Sequence, residues 1–309
     1  MDFGEIAPQL DHQSVGDILA HGYHVFQPAL DAGAAGELLA GVRATRAFDA
    51  SLFLSEAEFD ADPQYKGVNP QPGRNLLERF PDRLGFVEAA PQIVSALTAV
   101  LGEGYQVLDK KLVCGVPARS IPAWLMARIM GNPVNNLGAY VRPEYRDITY
   151  FMGIDFHQDL IDHKGREADF ITLYVYLHPV GAADAPLFLL EDSHKLGATV
   201  FPHALSKDAA GWTYADGRGC QIPVRQVMLT GGAGYAAMWH ACTLHGTQPD
   251  AADHERISLR YLFAKASAGR TGIDAVNATL SGPLSLAATR ADLAADGSAA
   301  IKGNTVNQA

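Results

Sequence analysis

The sharpest chemical feature of the sequence is Phe156-His157-Gln158-Asp159, at the end of a run that reads as a strand. Residues i and i+2 of a strand share a face, so His157 and Asp159 can aim an imidazole and a carboxylate at one point. Alone this is weak evidence, because roughly one His-x-Asp is expected by chance in a chain with 11 histidines. A second group, Trp239-His240-Ala241-Cys242-Thr243-Leu244-His245-Gly246, follows a glycine-rich turn and another strand. With His245 added, the donors become two imidazoles and one carboxylate, a set that holds a divalent transition metal and leaves coordination positions open. His240 competes with His245 on the same hairpin, although a packed histidine near a strand end is its plainer reading.

Arg256 lies eleven residues beyond His245 and opens the strand Arg256-Ile257-Ser258-Leu259-Arg260-Tyr261. Its even positions are polar and its odd positions apolar. A guanidinium fork suits the far end of a dicarboxylate, and a hydroxyl two residues on can share that carboxylate. The competing reading is a solvated outer face, and the two candidate metal motifs tip the balance away from it.

These side chains need a scaffold. Ser14 can cap a helix through Ala20, Tyr23 to Phe26 reads as a strand, and Ala32 to Arg46 reads as an amphipathic helix. Pro91 opens a further helix that Gly102 ends. Beyond it the character changes to short strands over 106–116, 147–156, 170–179, 186–190, 224–229, 234–239 and 256–264, separated by Gly, Pro, Asp and Asn. That pattern predicts a mainly β fold with flanking helices, a jelly-roll core rather than a βαβ chain. One domain is expected over 1–270, helical to about residue 105 with the core over 106–266. An Ala- and Gly-rich tail, 271–309, is expected to carry one helix near Leu284 to Leu293 and to end in disorder.

Taken in order, His157-x-Asp159, Leu244-His245-Gly246 and Arg256 resemble the pattern of the phytanoyl-CoA dioxygenase family. The opening Ile18-Leu19-Ala20-His21-Gly22-Tyr23-His24-Val25-Phe26, and Pro186 to Leu190 followed by Ser193-His194-Lys195, resemble that family's flanking segments. The resemblance runs from about Ser14 to Ala264. It implies a double-stranded β-helix of the cupin type, with His157, Asp159 and His245 as ligands of Fe(II). It implies Arg256, helped by Ser258, as the anchor of the co-substrate 2-oxoglutarate, and a lysine, Lys111 or Lys110, assisting from the strand before the metal motif. The implied reaction consumes O2 and hydroxylates an unactivated C–H bond, releasing succinate and CO2. Asp184-Ala185-Pro186 departs from the family's Asn-Gly turn.

Around this centre, Thr172 and Tyr174 share a strand face and are candidates to line the pocket. The stretch from Pro117 to Tyr150, with Trp124, Arg128 and Tyr140, is a candidate lid, and Arg74 with Asn75 is a second. A metal-binding cupin-type domain without oxygenase activity, in a binding or isomerase role, is the main rival, and the Arg256–Ser258 pair argues against it.

A net charge of −10 without a basic cluster argues against nucleic acid. A small-molecule metabolite or natural-product intermediate is the expected partner, for a monomer or homodimer. Three cysteines at no zinc spacing, and an N-terminus without the plan of a signal peptide, fit a cytoplasmic location. No apolar run is long enough to cross a bilayer.

Overall fold

The computed structural model describes residues 12–61, 75–248, 252, 254–266, 269–293 and 300. Among these, twelve strands join one mixed sheet: β1 (Tyr23–Val25), β2 (Gln106–Gly115), β3 (Val134–Asn136), β4 (Thr149–His157), β5 (Phe170–Tyr176), β6 (Leu187–Glu191), β7 (Ala204–Asp208), β8 (Gly211–Ala215), β9 (Gln221–Leu229), β10 (Ala236–His240), β11 (His245–Thr247) and β12 (Arg256–Ala264). Their order is β1-β10-β5-β12-β2-β4-β11-β6-β9-β8-β7, with β3 on the other edge of β4. The pairings are antiparallel except β2 with β4. This is the jelly-roll architecture expected from the spacing of the strands.

Alternation along β2, β5, β10 and β12 decides what faces inward. One set of residues, including Leu112, Ile171, Leu173, Val175, Met238, Ile257, Leu259 and Tyr261, packs against the helical layer through Ile93, Ala96, Leu97 and Val100. The other set, including Val113, Tyr174, Tyr176 and Trp239, meets Leu187, Leu189 and Leu229 inside the roll. β12 is therefore covered on both sides, and its even face is interior rather than solvated.

The helices follow local chemistry. The helix Ala32–Arg43 is capped by the Asp31 carboxylate, which accepts from Gly33 N at 2.8 Å and Ala34 N at 3.1 Å. It stops three residues short of Arg46. The helix Pro91–Leu101 starts on proline and stops at Gly102, whose φ of 85° suits glycine. The first helix, His12–His21, begins before Ser14, which is buried in its first turn instead of capping it.

The tail departs from expectation. The helix it forms is Gly272–Asn277, closed by a Thr271–Asp274 capping box, and no helix covers Leu284 to Leu293. There the backbone bonds to other loops instead of to itself: Leu284 O accepts from Ala168 N, Leu286 O from Gly165 N, and Thr289 O from Phe201 N, each at 2.9 Å. The segment is a strap across one end of the roll. Residues 301–309, and Arg74 of the second candidate lid, lie outside the described residues.

Candidate metal centre

β4 ends at His157 and β11 begins at His245, and the two are direct partners across the antiparallel pair. Their ring centroids lie 4.1 Å apart. Asp159 follows in a 3-10 turn, and the ligand atoms of His157, Asp159 and His245 lie within 4.8 Å of one another, all buried. His157 Nδ1 donates to Asp155 O at 2.9 Å and His245 Nδ1 to Thr243 O at 3.1 Å. A carbonyl only accepts, so both protons sit on Nδ1 and both Nε2 atoms are left as donors of electron pairs. Burial pushes His157 down to about 3 and lowers His245 as well, so both rings are neutral near pH 7. Burial works against the Asp159 anion. The Arg260 guanidinium and the Thr172 hydroxyl outweigh it and hold the carboxyl well below the usual range. Two neutral imidazoles beside an ionised carboxylate fit a divalent transition metal.

Arg256 is 1% exposed, with its guanidinium 5.9 Å from the centre of the Tyr174 ring. Its Nη1 donates to Ala185 O. Arg256 Nε, Ser258 Oγ and Tyr174 Oη are buried and have no hydrogen-bond partner in the protein. Unpaired buried polar atoms are costly, and three from one patch of neighbouring side chains call for an oxygen-rich ligand between them. The carboxylate of a keto acid meets that demand. Gly115 lies opposite Arg256, and a Cβ there would stand 3.4 Å from Arg256 Nε. The glycine leaves room for the guanidinium.

One cavity of about 740 Å³, including its open mouth, joins the three candidate ligands to Arg256 and Tyr174, while Ser258 is not among its lining residues. It is lined by the three candidate ligands, Arg256, Tyr174, Lys111, Trp239, Arg260 and Arg290, with Val113, Phe151, Ile154 and Leu187 as apolar wall. Lys111 faces the cavity, while Lys110 turns outward to Glu88 at 2.9 Å. Burial and the nearby Arg260 pull the Lys111 amine down to about 8.

Other candidates fall elsewhere. Thr172 donates to Asp159 Oδ2, so it orients a ligand rather than reaching into the anchor patch. Trp124 and Tyr140 are not among the cavity-lining residues; their rings cluster with Phe59, on which Arg128 also stacks. Arg128 is further held by Glu56 and Asp60. An aromatic cluster buries those rings among themselves, and from the same stretch it is Val134 and Asn136 of β3 that line the cavity. His240 spends both ring nitrogens on Asn277 Oδ1 at 3.0 Å and Cys242 N at 3.2 Å. Asn75 caps a short turn and donates to Lys110 O.

Arg260 and Arg290 are among the cavity residues that went unread in the sequence. Arg260 bonds Asp159 Oδ1 through Nη2, and its place on the polar face of β12 was the available signal. Arg290 arrives on the strap, gripped by Asp292 at 2.9 and 2.7 Å, and its Ala-rich surroundings carried no signal.

No protein-family model and no curated protein matches the sequence. Solved structures match the fold. The epimerase SnoN, in complex with Fe3+, alpha ketoglutarate and nogalamycin RO, is 16% identical over 94% of this chain and 93% of its own, with a TM-score of 0.52. A second structure of SnoN, described as a non-heme alpha ketoglutarate dependent epimerase from nogalamycin biosynthesis, is 16% identical over 89% and 93%, with a TM-score of 0.50. The apoform of EctD from S. alaskensis matches at 12% identity over 94% and 90%, with a TM-score of 0.47. At these identities the likeness is one of architecture, and the chain thus shares its jelly-roll fold with a non-heme alpha ketoglutarate dependent enzyme.

Proposed function

We propose that the chain is an Fe(II)/2-oxoglutarate-dependent dioxygenase of the phytanoyl-CoA dioxygenase type, hydroxylating a small-molecule metabolite or natural-product intermediate. The observation that carries this reading is the pairing, in one cavity, of a buried His157/Asp159/His245 set with unpartnered polar atoms of Arg256 and Tyr174, beside which Ser258 Oγ is also buried without a partner. A metal-binding domain without a co-substrate has no use for the second patch.

His157 Nε2, His245 Nε2 and an Asp159 oxygen would hold the iron. Arg256 would take the distal carboxylate of 2-oxoglutarate, with Ser258 Oγ and Tyr174 Oη as further donors, and Lys111 would add positive charge from the neighbouring strand. When bound, iron and 2-oxoglutarate supply an oxygen-activating centre that removes hydrogen from an unactivated carbon as the keto acid is broken down to succinate and CO2. The chain's own contribution is placement. Thr172 and Trp239 fix the Asp159 carboxylate, the latter through Nε1 at 3.1 Å. Val113, Phe151, Ile154 and Leu187 keep water from the reacting carbon and press the substrate toward the ligands. SnoN, an epimerase, gives reason to analyse the product before naming the outcome.

The test is anaerobic titration of the protein with iron(II) and 2-oxoglutarate, read by the visible charge-transfer band of the chelate. The expected result is a band in the natural protein that weakens at least about tenfold in apparent co-substrate affinity in Arg256→Ala, a charged hydrogen-bonded contact being worth about 1.5–3 kcal/mol. Iron binding with no band would favour the cupin-type binding domain instead.

A further inference from the structure

The contacts of Asp159 do more than orient it. Its side chain is 2% exposed, and its two oxygens receive three donors: Arg260 Nη2 on Oδ1, and Thr172 Oγ1 and Trp239 Nε1 on Oδ2. Oδ2 is also the oxygen 3.5 Å from His245 Nε2, and so the one turned toward the metal position. Arg260 is itself 12% exposed and braced from behind by Asp109 Oδ2 at 3.3 Å. It stands directly across from Lys111 on β2, a second buried cation. Asp109 of β2 stands against both cations, 3.2 Å from Lys111 and 3.3 Å from Arg260, and offsets their repulsion across the strand pair. The Asp109 side chain is 38% exposed and that of Asp159 only 2%, so the contact of Arg260 that is shielded from water is the one to Asp159.

We propose that Arg260 is a built-in counter-ion of Asp159, neutralising the buried carboxylate in its own right and so competing electrostatically with the divalent metal for it. The inference rests on reading His157, Asp159 and His245 as metal ligands. A buried carboxylate without a cation is strongly unfavourable, and one cation already removes most of that penalty. The second cation to arrive gains less, and it also meets the repulsion of the first. Metal binding and the Arg260 contact are thus linked with opposite sign, and the linkage is reciprocal. The chain keeps its ligand carboxylate compensated whether or not it carries a metal, in exchange for looser metal binding.

The experiment is isothermal titration of chelator-stripped protein with Mn(II), alongside melting temperatures in excess chelator and in excess Mn(II). Arg260→Gln removes the charge and leaves a shorter neutral amide, and Arg260→Lys keeps the charge. Arg260→Gln is expected to melt lower than the natural protein in chelator, to bind Mn(II) roughly tenfold more tightly, and to show a larger rise in melting temperature on adding Mn(II). Arg260→Lys is expected to stay within about twofold of the natural protein in Mn(II) affinity, its charge being kept. Equal or weaker Mn(II) binding by Arg260→Gln overturns the proposal, since it makes Arg260 an orienting group only. Should Arg260→Gln aggregate when stripped, the counter-ion role requires that Mn(II) restore a folded protein, and failure to fold in Mn(II) overturns it equally. If the natural protein and His157→Ala both ignore Mn(II), it is the metal reading itself that fails, and this inference falls with it.

Discussion

Gln158 sits between two candidate ligands and points the opposite way, as the strand period requires. Its amide nitrogen donates to Gly197 O at 2.8 Å and Cys242 O at 2.9 Å, and its oxygen accepts from Thr199 N at 3.0 Å. One fully buried side chain thus ties the His157–Asp159 turn to two loops, one of which leads into His245. Gln158→Ala would leave three buried backbone groups unpaired, at a cost of about 2–4 kcal/mol. The expected result is a lower urea midpoint together with weaker Mn(II) binding, although Gln158 touches no ligand position. Ala185 supports Arg256 in a comparable way. Its φ of 47° is in the left-handed region, and its carbonyl accepts from both Arg256 Nη1 and Thr247 Oγ1. Here the resembled family has Asn-Gly, and glycine meets no Cβ penalty at such a φ. Ala185→Gly should therefore leave stability unchanged or raise it by up to about 1 kcal/mol, measured by urea denaturation. A clear loss would mean that the Ala185 methyl packing matters more than the backbone strain.

At the scale of elements, the placement of the ligands depends on how closely β11 approaches β4. A Cβ on Gly246 would stand 2.9 Å from Ile154 O and 3.0 Å from Phe156 N, both backbone atoms that cannot rotate away. Gly246→Ala should push the strands apart by a few tenths of an ångström, displace His245 from His157, and cost about 1–3 kcal/mol. Mn(II) affinity should drop while circular dichroism keeps its β signature. This explains why a glycine follows His245, which the sequence alone presents as an unexplained motif. Much else at this scale was legible. β2, β4, β5, β6, β9, β10 and β12 all fall on runs whose alternation or apolar content exceeds a turn's. The hairpin β7–β8 escaped because β7 is polar and exposed, and β3 and β11 because Val-Asn-Asn and His-Gly-Thr lack the aromatic and β-branched content that marks β1 at the same length. On β12 the sequence told which residues share a face, and the metal motifs argued that the face is interior, but no spacing pairs Arg260 with Asp159, so Arg260 was visible as a residue and invisible as that partner. Arg290 and the strap were illegible because their order comes from backbone bonds to distant loops, which leave no local pattern.

For the molecule as a whole, buried neutral histidines set the response to acid. Burial pushes His157, His203 and His240 down to about 3 and His194 to about 4. Unfolded, each returns to about 6.5. Between those values the unfolded chain binds protons that the folded chain refuses, so the stability present above pH 6.5 is lost as pH falls. Each histidine contributes on the order of 1 kcal/mol per pH unit across that window. In chelator, the urea midpoint is expected to be flat from pH 7 to 8 and to fall steeply from about pH 6.5 toward 4.5. A flat profile to pH 5 would show that these rings find partners on protonation. The roll also joins distant parts of the chain. Tyr23–Val25 pairs with Ala237–Trp239, and the strap at 284–289 bonds the loops near 165–168 and 201. During synthesis the first strand must wait on the order of tens of seconds for its partner to leave the ribosome. His157 and Asp159 emerge long before His245, so a nascent chain holds only part of a chelating site. If these three residues hold a metal, the complete ligand set forms only after His245 has emerged, so a fragment ending before residue 245 should bind Mn(II) more weakly than the full chain.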